Sequence, residues 1–236
     1  MNALTRSLSA TWSSSIGKKL VVALTGAFLV VFLAGHLAGN MLIYVGPDAF
    51  NAYAYQLHHM LNGGGVWAAR LVLLGAFALH IIATISLTRQ NRAARKQYEH
   101  KATIQATGSS RIMILSGLTI IAFVIYHILH FTARVANEYN NPELYTYVLD
   151  GKEVHHAWKM VIDGFSWWPA TLFYLIAMTL LASHLTHGIQ SIFQTLGWRS
   201  KKSAGLIDTF AKGYTAVIFL GFISIPIAIQ VFGFGR

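Results

Sequence analysis

Five stretches of this chain are long and apolar enough to cross a lipid bilayer, and nothing else in the sequence constrains the fold as strongly. They cover about 20–44, 66–87, 112–133, 168–193 and 206–232. A helix needs roughly 20 apolar residues to span the hydrocarbon. Within lipid, only a helix or a closed barrel satisfies its own backbone hydrogen bonds. Hydrophobic residues make up 55% of the 236 and charged residues only 11%, a balance foreign to soluble domains. The expected fold is an all-α integral membrane protein with five transmembrane helices, in a single domain over 1–236. The first run is too long for a signal-peptide core. Polar residues 5–19 precede it instead of a short basic region, so it reads as a retained span.

Basic residues in the short loops set the expected orientation. Arg6, Lys18 and Lys19 precede the first span. Arg89, Arg92, Arg95, Lys96, Lys101 and Arg111 lie between spans two and three, and Arg199, Lys201, Lys202 and Lys212 between four and five. Thirteen of 18 basic residues thus mark one side as cytoplasmic. Six of the eight acids, Asp48, Glu138, Glu143, Asp150, Glu153 and Asp163, fall on the other side. The expected topology has the N-terminus inside and the C-terminus outside. The net charge of +10 then reflects this asymmetry and contact with anionic lipid; no nucleic-acid module is expected. Cysteine is absent, which removes disulfides, iron–sulfur ligation and covalent haem attachment from this chain. Of the two outer loops, 45–65 is expected to hold a short interfacial helix, while 137–164 is polar and unspecified.

Histidine is the residue these spans should avoid, yet four of them carry it: His36, His80, His127 with His130, and His184 with His187. An ionisable group in hydrocarbon is costly and marks a functional site by default. A single such histidine is as readily explained by a hydrogen bond to the next helix; four spans sharing the feature are not. A rise of about 1.5 Å per residue puts His36 roughly 25 Å beyond Lys19 and His127 about 24 Å beyond Arg111, both near the outer face. His80 lies roughly 13 Å from Arg89, near the inner face. Gln190 and Gln194 suggest that span four leaves the hydrocarbon early, which puts His184 at the inner level too. Spans one and three then offer an outer pair of imidazoles and spans two and four an inner pair. Facing imidazoles on neighbouring helices suit a six-coordinate b-type haem, so four helices are expected to form a dihaem-binding bundle.

Gly26 precedes His36 by ten residues and Gly117 precedes His127 by ten, each after a hydroxyl residue, Thr25 or Ser116. Ten residues are ~15 Å of helix, which brings each glycine near the inner level, where a flat ring could approach the backbone. Ordinary small-residue helix packing explains the glycines equally well. The glycine spacing favours His127 over His130, whereas spacing does not choose between His184 and His187. A different metal at these doublets finds no nearby carboxylate. His58, His59, His100, His155 and His156 are assigned to loops, with His58 and His59 as candidate quinone contacts.

Four segments carry a family resemblance: "SSSIGKK" before span one, "TGAFLVVFLAGH" within it, "LHIIATISLTRQNRAAR" ending span two and "HLTHGIQSIFQTLGW" ending span four. With them the chain resembles, over nearly its whole length, the five-helix dihaem cytochrome b membrane anchor of succinate dehydrogenase and fumarate reductase. The resemblance implies two haem b groups with axial ligands at His36, His80, His127 and His184, where only the match selects His184. His80 and His184 would hold the inner haem and His36 and His127 the outer one. It further implies a flavoprotein subunit and an iron–sulfur subunit as partners, a bacterial cytoplasmic membrane, and menaquinone as the quinone. Dicarboxylate chemistry would belong to the partners and electron transfer to this chain. Ala182 stands where some members carry an acid implicated in proton movement, which leaves that route in doubt. Asn40, Tyr44 and Arg134 are candidate quinone residues, and Arg70 with Arg134 are candidate partners of haem propionates. A cytochrome b of another dehydrogenase, a haem-free anchor and a proton-coupled transporter are the rival readings. The transporter lacks the midplane cluster of broken helices it would need.

Overall fold

A computed structural model describes residues 2, 12–94 and 113–236. Five long helices dominate them: α1 (Ser15–Met41), α3 (Gly64–Ala94), α4 (Met113–His127), α6 (Trp168–Thr195) and α7 (Ala204–Phe232). With their short extensions, all five are long and apolar enough to cross a membrane. They match the predicted spans to within a few residues, apart from two overhangs at the basic end. Helix α1 starts early because Ser14 Oγ accepts the Gly17 N–H (2.9 Å), a cap that offsets one orphan donor. Helix α3 runs on through Arg89 and Arg92, residues with good helix propensity. Arg6, Arg95, Lys96, Lys101 and Arg111, on which the orientation also rests, lie outside the described residues, as does His100.

Large apolar side chains on the long helices point outward, among them Val31, Leu71, Leu118 and Val217, as lipid-facing surfaces do. Helix α1 packs against α3, α6 and α7, and α6 also packs against α4 and α7. Neither α1 with α4 nor α3 with α6 packs along its length. The helices carrying each proposed histidine pair therefore face each other across the bundle. The sequence suggests neighbouring helices for each pair, but the bundle keeps α4 beside α6, and α3 beside α1.

The two loops expected on the outer side, 45–65 and 137–164, are ordered into a cap. The expected interfacial helix is α2 (Pro47–His59), started by Pro47 at its first position with Asp48 in its first turn, both favourable at a helix N-terminus. Segment 137–164 departs from the all-α expectation. A turn of helix at Pro142–Tyr145 leads into an antiparallel hairpin, β1 (Thr146–Leu149) with β2 (Lys152–His155), then α5 (Ala157–Ser166). Asp150 and Gly151, at the hairpin tip, both have positive φ. Buried Asn51 ties α2 to α5: its carboxamide oxygen accepts the Trp158 N–H (2.9 Å) and its nitrogen approaches His156 Nδ1 (3.2 Å). Phe50, Val161, Ile162 and Phe165 of this cap bury against Ile43, Tyr174, Ile225 and Ile229 in one apolar cluster that joins cap to bundle. His58 and His59 therefore end α2, His155 ends β2 and His156 caps α5; the sequence reading had assigned all four to loops.

Candidate functional site

His36 and His127 come together from opposite sides of the bundle, their ring centroids 5.8 Å apart and nearly perpendicular. His127 Nδ1 lies 3.1 Å from the Tyr174 hydroxyl on α6. His36 Nδ1 lies 3.4 Å from the Asn40 amide nitrogen, which also donates to the His36 carbonyl (2.8 Å). Phe32 stacks on His36, and Phe222, Phe123 and Phe131 surround the pair. This is the outer level, just below the cap.

The other two imidazoles sit about ten residues of helix further in. His80 Nδ1 lies 3.0 Å from Thr25 Oγ1 on α1, and a Cβ on Gly26 would stand 3.3 Å from His80 Cε1. Across the bundle, His184 Nδ1 lies 3.2 Å from Ser116 Oγ on α4, and a Cβ on Gly117 would stand 3.9 Å from His184 Cε1. The two hydroxyl–glycine pairs thus each receive one imidazole. His184 stands level with Gly117 and His80 with Gly26, ten residues inward of His127 and His36.

All four imidazoles share one arrangement. The Nδ1 of each lies within 3.4 Å of a polar side-chain partner, and His80 also bonds the Val22 backbone. At His80, His127 and His184 the Nδ1 partner is a hydroxyl, which accepts an Nδ1–H and so leaves Nε2 as the metal-binding nitrogen. At His36 the partner is an amide nitrogen, which donates, so that contact holds the ring without assigning Nε2. The companion histidines differ. His130 is buried, and the Tyr174 and Tyr139 hydroxyls lie 3.4 Å from its Nδ1 and Nε2 respectively. His187 Nε2 lies 3.3 Å from Ser191 Oγ. His130 therefore behaves as a satisfied core histidine. It is carried on a π-helical turn, Ile128–Thr132, in which the Ala133 N–H reaches back to the Ile128 carbonyl (2.7 Å). Such turns recur at functional sites, and this one swings His130 towards Tyr139.

The donor set suits an iron porphyrin. Among the described residues no three His, Asp or Glu side chains gather to hold a bare metal ion. Two imidazoles per level are what a porphyrin needs, since its four nitrogens fill the remaining positions. Two imidazoles bonded to one metal at about 2 Å each have centroids about 6 Å apart, close to the observed outer pair. The helices that carry His80 and His184 are likewise not packed together.

Of the other candidates, Tyr44 donates to Ser224 Oγ (2.9 Å) and Asn40 is engaged with His36. Arg134 donates to Asn140 (3.2 Å), and Arg70 lies over the Trp67 ring with His58 Nε2 3.5 Å away. Sequence reasoning missed Tyr174, although the ten-residue spacing would have found it. Tyr174 stands ten before His184, as Gly26 and Gly117 stand ten before His36 and His127. Comparison with protein-family models, curated proteins and solved structures finds no match to this chain.

Proposed function

We propose that this chain is the dihaem cytochrome b membrane anchor of a succinate:quinone oxidoreductase, carrying electrons between an iron–sulfur subunit and membrane quinone. One observation carries the haem reading. Four span-borne histidines stand in two pairs on opposed helices, each with a polar partner at Nδ1. The succinate dehydrogenase and fumarate reductase assignment rests on the resemblance of the four helix-end segments. His80 and His184 are the proposed inner ligands, His36 and His127 the outer. When bound, the haems supply one-electron carriers at the two levels, about 15 Å apart along the helices.

The remaining chemistry belongs to the protein. Thr25 and Ser116 orient the inner imidazoles, and Gly26 leaves His80 room beside the α1 backbone. Tyr174 and Asn40 do the same for the outer pair, while Phe32, Phe123 and Phe222 keep water away. Lys18, Lys19, Arg199, Lys201 and Lys202 form the face for the iron–sulfur and flavoprotein subunits, on the cytoplasmic side of a bacterial membrane. With that orientation the acid-rich cap and the C-terminus lie outside. Menaquinone is the proposed quinone, with Tyr44, Asn40, Arg134, His58 and His59 as its candidate contacts near the outer level.

Haem per chain by pyridine haemochrome, together with a reduced-minus-oxidised spectrum of the purified protein, tests this directly. Two b haems per chain support it; none leaves a haem-free anchor or a transporter. Turnover of succinate with a quinone by the assembled complex separates this reading from a cytochrome b serving another dehydrogenase. If Arg134→Leu changes neither quinone reduction nor the haem spectrum, Arg134 leaves the candidate list.

A further inference from the structure

Arg134 ends span three in a left-handed backbone conformation (φ 55°), uncommon for any residue but glycine. Its Nε is buried without a hydrogen-bond partner, and so is His155 Nε2 at the end of β2. Both side chains line one cavity of about 300 Å³, with Asn140, Asn141, Thr146 and Glu153. Among the described residues no carboxylate forms an ion pair with Arg134 or Arg70. Positive groups crowd the place instead. Arg70 lies ten residues before His80, and so at the outer level; its charge reaches Arg134, while His58 and Arg134 both act on His155. Burial first, and these neighbours second, push His155 down to about 4. Glu153 lines the same cavity but forms no ion pair with Arg134. A part-buried guanidinium with an orphan N–H and no paired carboxylate is costly, and an anion would remove that cost.

We propose that Arg134 and His155, backed by Arg70 and His58, form an anion site that takes a carboxylate group at the outer ends of α3 and α4. A guanidinium fork and a neutral imidazole N–H match carboxylate oxygens. Two sources share this chemistry: a propionate of a haem held by His36 and His127, which rests on the proposed function, or a carboxylate entering from water, which does not.

The full-length protein in detergent, with its haem content measured first, distinguishes them. If a propionate fills the site, Arg134→Gln lowers the midpoint potential of one haem component alone, because removing a positive charge disfavours the reduced form. Arg134→Lys restores most of the shift, and acetate does not raise the unfolding temperature of the haem-loaded protein. If a carboxylate from water fills it, acetate raises the unfolding temperature of the wild type and of Arg134→Lys, but not of Arg134→Gln, and the haem potentials stay put. The proposal is overturned if Arg134→Gln matches the wild type in both measurements. It is equally overturned if Glu153→Gln reproduces Arg134→Gln, since the site would then be an internal ion pair. Protein that holds no haem defeats the proposed function, yet the acetate response still decides this site.

Discussion

The inner and outer histidine pairs are held at Nδ1 by different means. At the inner level each imidazole rests against a neighbouring helix, where Thr25 or Ser116 takes Nδ1 and the following glycine leaves room. No aromatic ring contacts His80 or His184 among the described residues. At the outer level the rings of Phe32, Phe123, Phe131 and Phe222 enclose the pair, and a phenol and a carboxamide take Nδ1. The difference follows the surroundings. The outer pair lies beneath a folded cap whose apolar core continues into the bundle. The inner pair relies on close helix approach, which small residues permit.

The comparison breaks most visibly if the two levels are not independent. Replacing His36 or His127 with alanine is expected to halve bound haem, measured per chain, and spare the inner spectral component. Replacing His80 or His184 should do the reverse. If His187→Ala empties the inner level and His184→Ala does not, the fourth ligand is misassigned. Next in size come the glycines. Gly26→Val drives a branched side chain into His80 and should empty the inner level. Gly117→Ala places its methyl at an ordinary contact distance from His184 and should leave haem content unchanged.

The Nδ1 partners sharpen the comparison at a finer scale. Thr25→Val and Ser116→Ala should weaken haem retention at the inner level alone, and Tyr174→Phe at the outer level alone. Partners of this kind are worth about 10- to 100-fold in affinity, readable as haem lost during dilution. The smallest expected effect concerns the cap. Burial, Arg134, His58 and His156 hold His155 down at about 4 against its ordinary 6.5. The unfolded chain therefore binds the proton more readily, so this contribution is intact above pH 6.5 and is lost as pH falls towards 4. Unfolding temperature should drop across that window in the wild type and less so in His155→Gln.

Much of this was legible residue by residue. The spans were placed to within a few residues, and the α2 helix was anticipated from "NAYAYQLHHMLNGGG". The β1–β2 hairpin was not, because its eight strand residues are short, polar and mixed, and pair only with each other. Nor was the π-helical turn that sends His130 to Tyr139, since one extra residue in a helical turn leaves no mark on an apolar pattern.

The sequence by itself determined the relative levels of His36, His80 and His127, because helix rise runs along the chain and can be counted from its charged ends. His184 was placed only from Gln190 and Gln194. The folded bundle alone decided which helices face each other and which group meets each Nδ1. Those depend on rotation about each helix axis and on partners more than forty residues away, such as Tyr174 for His127 and Thr25 for His80. Only packing brings such residues together.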